Sequence, residues 1–197
     1  MLSESEVEPN KIKKMVSTKF SRLESKRSQV WIETAIYTLI GLTIMAIVLS
    51  IATPQIQKMK ERATLKQTIT ALNELNNEIK KVEQTAGTIK IVQFKITKGK
   101  LEINSEENKI IYVLENTNLE FSEAGVEIKE GELTLKTENN GRKFNVFLEL
   151  AYDNLQMTYN YEEETKTLHG SALYNIQIEN VGDNNIDEPV HIDFKVS

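Results

Sequence analysis

The chain has 197 residues, a formal charge of −5 and no cysteine, so its length allows one folded domain beyond a membrane helix. The absence of cysteine excludes disulfide bonds and, with only two histidines, it also excludes a Cys/His nucleophile or structural zinc site within one chain. The charge is uneven, because residues 1–28 carry seven Lys/Arg against four Glu, while the rest of the chain carries −8. An acidic surface of this kind is a poor partner for nucleic acid.

Residues 1–28 form a leader that begins acidic and ends basic, with Lys26 and Arg27 near its end. It differs from a secretory signal, in which a short apolar core follows a few basic residues, and we expect it to remain in the cytoplasm. More Lys/Arg residues flank the following apolar segment before its start than after its end, which favours an N-in, C-out orientation in the membrane.

Residues 29–54 are predicted to form a transmembrane helix. From Thr34 to Thr53 there are 20 residues without a charge, and a helix of that length spans roughly 30 Å, the thickness of the hydrocarbon core of a bilayer. Gly41 and Pro54 are the weak points of this helix. Since Pro54 lacks a backbone donor and crowds the preceding turn, we expect the helix to be kinked or broken there.

Residues 55–86 are predicted to form an amphipathic helical stalk that ends before Gly87. Its apolar residues recur every three or four positions and are called the stripe below: Leu65, Ile69, Leu72, Leu75, Ile79 and Val82. We expect the upper half of the stripe to pack on the chain's own sheet and the rest to pack on neighbouring helices.

Residues 87–197 alternate with a period of two and are predicted to form an antiparallel β domain of about eight strands. Three two-residue turns set the expected registers. Turns at Lys98-Gly99, Asn140-Gly141 and Asp153-Asn154 would pair Phe94 with Ile103, Leu135 with Val146 and Leu150 with Met157. The predicted fold class is therefore α+β, a long N-terminal helix followed by an all-β meander, with a two-sheet sandwich as the alternative arrangement.

The segment Lys26-Arg27-Ser28-Gln29, followed by Glu33 and a long apolar helix, resembles the class III signal peptide of type IV pilins, particularly the archaeal members. The resemblance implies that a prepilin peptidase cuts between Ser28 and Gln29. Glu33 would then be the fifth mature residue and would approach the free amine of Gln29 on a neighbouring subunit. Such a charge pair would fix the stagger of the subunits more than it would stabilise them.

By this resemblance the chain is a pilin-like structural subunit of an extracellular, cell-surface filament. It would be made as a membrane precursor and assembled as a helical homo-oligomer through its apolar helix. The family implies a prepilin peptidase, a platform protein and an assembly ATPase as partners. A minor pilin that caps or primes a filament would share the same cleavage.

A second interpretation of the same residues is a single-pass, uncleaved membrane anchor that displays a binding or adhesion module. Lys26 and Arg27 would then be ordinary flanking charges, and Trp31 would be an interfacial aromatic residue. The two interpretations differ in whether the mature protein begins at Gln29.

The sequence contains no phosphate-binding glycine loop, G-x-S-x-G elbow or HExxH motif. Residues 162–164 and 182–185 form acidic or Asx-rich loops that lack the ligand spacing of an EF-hand. We therefore predict neither an enzyme nor a protein that needs a metal or a cofactor.

Overall fold

A computed structural model describes the backbone of residues 9–182 and 189–197 and the side chains of residues 30–182 and 189–197. The predicted leader lies partly outside this range, and so do residues 183–185 of the second acidic loop. The described chain has one helix, α1 (Pro9–Glu83), followed by ten strands. The α+β class predicted from the sequence is confirmed.

The helix α1 includes Pro54 and has no break in its helical assignment there. A split into two helices, one of the two predicted alternatives, is therefore not observed. The chain nevertheless divides at this residue into two compact units, an N-terminal unit that ends at Pro54 and a second unit, Gln55–Ser197, which we call the head unit.

The ten strands of the head unit form two sheets, where about eight strands were predicted. In chain order they are β1 (Ile89–Ile96), β2 (Lys100–Asn104), β3 (Lys109–Thr117), β4 (Glu127–Glu130), β5 (Leu133–Asn140), β6 (Lys143–Ala151), β7 (Leu155–Tyr159), β8 (Thr165–His169), β9 (Ala172–Asn180) and β10 (Val190–Val196). A four-stranded sheet has the order β1-β9-β10-β7, and a six-stranded sheet has the order β4-β5-β6-β3-β2-β8. Among the described strands only β7 and β10 pair in parallel.

The hydrophobic core lies between α1 and both sheets. All six residues of the stripe are buried, and they join one cluster with residues from both sheets such as Leu101, Leu148 and Phe194. The stripe is therefore used entirely within the head unit. The expectation that part of it packs on neighbouring helices is wrong, because none of its side chains is left exposed.

Two of the three predicted hairpins are wrong, because their strands belong to different sheets. Phe94 pairs with Tyr174 and Ile103 with Ile110. The chain crosses between the sheets at Gly99, where φ is +87° and an added Cβ would lie 2.4 Å from the carbonyl oxygen of Val113. Glycine is required at this crossing because the backbone passes so close to β3.

The chain also changes sheets between β6 and β7, so that Leu150 pairs with Ile110 and Met157 with Ile192. The predicted pairing of Leu150 with Met157 is therefore wrong, although both side chains are buried. The two-sheet alternative describes this domain better than a continuous meander.

The third hairpin exists, but its register differs from the prediction by two residues. Leu135 pairs with Leu148, and Asn140 pairs with Lys143, so the loop residues are Gly141 and Arg142. Gly141 has a φ of +66° and stands at the first loop position, where a type II′ turn requires glycine. A shift of two keeps each side chain on its predicted face, so the predicted apolar face is correct.

The C-terminus of α1 is held by Asn180 of β9. Its side-chain nitrogen Nδ2 donates to the carbonyl oxygens of Val82 and Glu83 at 2.9 and 3.1 Å. Asn180 is 3% exposed, so water does not reach the buried carbonyl of Val82 to replace the amide, and that carbonyl keeps only the backbone nitrogen of Thr85, at 3.3 Å.

We expect Asn180→Ala to destabilise the head unit by about 1 to 2 kcal/mol, since the buried carbonyl of Val82 and the part-buried carbonyl of Glu83 each lose the hydrogen bond from the amide. Chemical unfolding of the full chain in detergent, followed by tyrosine fluorescence or circular dichroism, measures this change. Asn175→Ala is the matched control, because Asn175 lies on the same strand with an exposed side chain. Equal stability of the two variants would show that the amide does not hold the helix end.

Candidate functional site

The residues of the predicted cleavage site, Lys26 to Gln29, lie in the helical backbone of α1. The structure does not describe their side chains, so it gives no contacts for Lys26, Arg27 or Gln29. The cut between Ser28 and Gln29 stays a prediction. Glu33, Gly41 and Pro54 are described, and all three are exposed.

The N-terminal unit presents an apolar helical surface that no part of the described chain covers. Its large hydrophobic side chains between Val30 and Ile51 are 49 to 77% exposed, with Trp31 the most exposed of them. The helix is long enough and apolar enough to cross a membrane, and none of its apolar window is buried. This surface fits membrane anchoring.

The hydroxyl groups in this apolar surface are satisfied within the helix itself. Each donates to a backbone carbonyl three or four residues earlier, over 2.7 to 2.9 Å; the donors are Thr34, Thr38, Thr43, Ser50 and Thr53. A helix in hydrocarbon needs this internal pairing, because no water is present to take the hydrogen bonds. Besides these hydroxyl groups, the segment contains one charged side chain between residues 30 and 57, that of Glu33.

Gly41 has open space around it. A Cβ added there would meet no atom within 4 Å, so nothing within the described chain requires glycine. A shallow groove of small and apolar side chains lies beside Glu33 along the helix and is lined by Trp31, Thr34, Ala35, Thr38, Leu39 and Leu42. The described site residues Glu33, Gly41 and Pro54 are therefore all uncovered positions of the helix.

At the start of the head unit, Glu61 forms a buried polar anchor that the sequence analysis missed. Its Oε1 accepts from Gln57 Nε2 at 3.0 Å and from Lys98 Nζ at 3.1 Å. Its Oε2 accepts from Thr117 Oγ1 at 2.8 Å and from the backbone nitrogen of Asn118 at 2.9 Å. We call these groups the Glu61 anchor. It ties α1 to the turn after β1 and to the end of β3.

Burial disfavours the charge of Glu61, which is only 3% exposed. The hydrogen bonds from Gln57, Thr117, Lys98 and Asn118 outweigh this effect and lower the pKa of Glu61 to about 2. The sequence does contain one indication that Glu61 is buried. It lies four residues before Leu65 and therefore on the same helical face as the stripe.

A second polar link joins α1 to the loop between β4 and β5. Asn76 Nδ2 donates to Glu132 Oε2 at 2.6 Å, and Tyr152 OH donates to Asn76 Oδ1 at 2.9 Å. Lys80 forms an ion pair with the same Glu132. Burial, assisted by the negative charge of Glu132, raises the pKa of Tyr152, so this tyrosine is a neutral hydrogen-bond donor at physiological pH.

The outer face of the four-stranded sheet holds a buried carboxylate, Asp193. Its Oδ1 accepts from Thr158 Oγ1 at 2.7 Å and from the backbone nitrogen of Tyr161 at 2.6 Å. Its Oδ2 has no hydrogen-bond donor among the described residues and lies 3.6 Å from Lys195 Nζ. His191 is on the same face, and its Nε2 lies 2.9 Å from Thr158 Oγ1. The alternation of apolar and polar residues in β10 does not reveal that Asp193 is buried, because a solvent-exposed residue would occupy the same position in the pattern.

Within the described residues, no group of three or more His, Asp or Glu side chains could hold a metal ion. Comparisons with protein-family models, with curated proteins and with solved structures found no match. The pilin-like function implied by the resemblance of residues 26–54 therefore stays a prediction.

Proposed function

We propose that this chain is a structural subunit of an extracellular type IV pilus-like filament. A prepilin peptidase cuts the membrane precursor between Ser28 and Gln29. The mature helix is then drawn from the membrane into the filament core, and the acidic head unit forms the outer surface. An assembly ATPase and a platform protein drive this transfer, and no covalent chemistry by the chain itself is needed.

The observation that supports the proposal is the uncovered helical surface from Val30 to Ile51. The head unit completes its own core without it, since the stripe from Leu65 to Val82 is already buried. Twenty-two residues of uncovered apolar helix require either lipid or copies of themselves, and each large side chain buried contributes about 1.5 to 3 kcal/mol.

Glu33 has a different role in each interpretation: in a plain anchor it lies at the depth of the lipid headgroups, and in a filament it needs a partner. A carboxylate beside a lipid-facing surface is costly, by roughly 2.5 to 3.5 kcal/mol at the helix centre and less toward its end. A cut after Ser28 creates a free amine on Gln29, four residues before Glu33. In a staggered bundle of helices, that amine on one subunit can pair with Glu33 of the next.

Intact mass of the protein extracted from membranes or filaments tests this proposal. We expect the mature chain to begin at Gln29 when a prepilin peptidase is present, and to retain residues 1–28 when the peptidase is absent. A Lys26→Ala, Arg27→Ala double variant should keep its leader even with the peptidase, whereas Lys58→Ala, on the other side of the apolar segment, should be cut normally.

A wild-type protein that begins at Met1 or Leu2 and stays dispersed as single molecules would contradict the filament. It would leave the uncleaved, single-pass surface module, which needs the same apolar helix only to hold the head unit at the membrane.

A further inference from the structure

Four strands lie at the edges of the two sheets, β1, β7, β4 and β8, and two of them, β1 and β4, combine a free side with exposed apolar residues. β1 pairs only with β9, at one end of the four-stranded sheet, and β4 pairs only with β5, at one end of the six-stranded sheet. No other backbone hydrogen bond reaches the free side of residues 89–95 or 127–130 from the part of the chain that the structure describes. Such a free edge is a template on which another strand can pair.

Both free edges also expose apolar side chains. The first three residues of β1 are exposed on both faces of the sheet, with Ile89 at 53% and Ile91 at 66%. All four residues of β4 are exposed, including Ile128 at 43%. Exposed isoleucine on an unpaired edge is what soluble domains generally avoid, unless a partner covers it.

The charges of the two edges are complementary. β1 carries Lys90 and Lys95 and no acidic residue, on a head unit whose net charge is −7, whereas β4 carries Glu127 and Glu130 around the single Lys129. A second β1 strand would place lysines beside lysines. The β4 strand of another copy would instead place a carboxylate opposite an ammonium group.

An antiparallel register that keeps the core-side residues of both strands on one face also places opposite charges together. Phe94 and Ile96 are buried, so the even-numbered residues of β1 lie on the core side, and Ile128 and Glu130 lie on the core side because they pair with the buried Leu135 and Leu133. Lys90 opposite Glu130 then places Val92 opposite Ile128 and Ile91 opposite Lys129. Lys95 comes diagonal to Glu127.

We propose that the free edge of β1 in one head unit pairs antiparallel with the free edge of β4 in a second copy of this chain. This β1–β4 contact joins the four-stranded sheet of one copy to the six-stranded sheet of the next. Because each copy uses two different edges, the contact repeats along a series of subunits and does not close as a dimer. The inference rests on the proposed filament, in which heads are brought side by side.

Disulfide trapping tests the contact cleanly, because the chain has no cysteine. Filaments are assembled from an Ile91→Cys, Lys129→Cys double variant, treated with a mild oxidant and run on a non-reducing gel. We expect a ladder of dimers, trimers and larger species, since directly opposed residues bring their Cβ atoms to about 4.5 to 5.5 Å. Either single-cysteine variant should stay monomeric. The matched control is Leu173→Cys with Lys129→Cys, because Leu173 is 57% exposed but lies on β9, away from the edge.

Charge reversal gives a second readout. Lys90→Glu in the cysteine pair background should reduce the ladder about three- to tenfold, and Glu130→Lys added to it should restore the ladder. Loss without restoration would mean that these two residues are not opposed, and it would overturn the register.

The outcomes separate this inference from the proposed function. Normal filaments that begin at Gln29 but give no ladder would overturn the β1–β4 contact and leave the filament standing. Dimers from Ile91→Cys alone would overturn it in favour of a β1–β1 pair. A ladder formed in detergent by a chain that keeps its leader would support the contact and contradict the filament.

Discussion

Replacing Glu33 with alanine is expected to abolish filament assembly while leaving membrane insertion and the amount of precursor unchanged. Glu33 is exposed on α1 at the start of the uncovered apolar surface, and it has no role in the core of the head unit. Its loss leaves the apolar helix intact, so insertion should persist. In the proposed filament it removes the partner of the Gln29 amine in an apolar surrounding, which costs about 3 to 5 kcal/mol per subunit.

A cost of about 3 kcal/mol corresponds to a factor of roughly 100 in the concentration needed for assembly. The measurement compares sheared filaments with the membrane fraction by quantitative immunoblot. Glu33→Asp keeps the charge and should retain part of the assembly, whereas Glu33→Gln keeps the shape and should not. Thr38→Ala, within the same surface, controls for a general disturbance of the helix. Wild-type filament yield from Glu33→Ala would remove the charge pair from the proposal.

Sequence periodicity was sufficient for the helix but not for the sheets. The stripe repeats every three to four residues over five turns, and each of its six residues is buried. Which face of a helix is buried depends on the spacing of apolar residues along the chain, and this spacing can be read directly from the sequence. The position of Pro54 was informative in a different way. The helix continues through it, yet the chain divides into its two compact units at this residue.

Strand pairing failed where neighbours in sequence are not neighbours in space. Alternation shows which face of a strand is apolar, and Phe94, Leu150 and Met157 are buried as their pattern predicts. Alternation does not show which other strand pairs with a given strand. β7 pairs with β10, more than thirty residues away along the chain, and this pairing depends on contacts that no local pattern encodes. The two turns that cross between sheets, Lys98-Gly99 and Asp153-Asn154, contain the same Gly, Asp and Asn residues that hairpin turns favour.

The polar residues of the head unit show the same limit. Glu61 could have been singled out, because a carboxylate at a stripe position has to find partners once it is buried. Its partners, Lys98 and Thr117, are 37 and 56 residues away, so no spacing rule could name them. Asp193 gave no signal, since it alternates with Ile192 and Phe194 as a solvated residue would.

Replacing Glu61 with alanine is expected to destabilise the head unit by about 3 kcal/mol. The change leaves the buried hydroxyl of Thr117 and the part-buried backbone nitrogen of Asn118 without their acceptor, at roughly 1 to 3 kcal/mol for each unsatisfied group, partly offset by water that enters the space. Lys98 should lose little, because its side chain is 41% exposed and remains solvated. Glu74→Ala, an exposed glutamate on the same helix, is the matched control and should change stability by less than about 0.5 kcal/mol.

The same residue gives the head unit a defined sensitivity to acid. The pKa of Glu61 is about 2 in the folded protein against 4.5 as the ordinary value, so its stabilising contribution is complete above pH 4.5 and is lost as the pH falls toward 2. The contribution is about 3 kcal/mol, from about 1.4 kcal/mol for each unit of pKa. Denaturant unfolding of the full chain in detergent at several pH values between 2 and 6 measures it as the difference between wild type and Glu61→Gln.

That difference should be largest at pH 6 and should shrink toward pH 2, because the other carboxylates titrate equally in both proteins and cancel. A difference that stays constant over this range would mean that Glu61 acts through its shape and not through its charge.

Because the anchor lies at the start of the head unit, its loss should also expose Leu65, the first residue of the stripe. Faster hydrogen exchange at residues 62–68 in Glu61→Ala, with no change at residues 72–82, would place the opening at that end of the core.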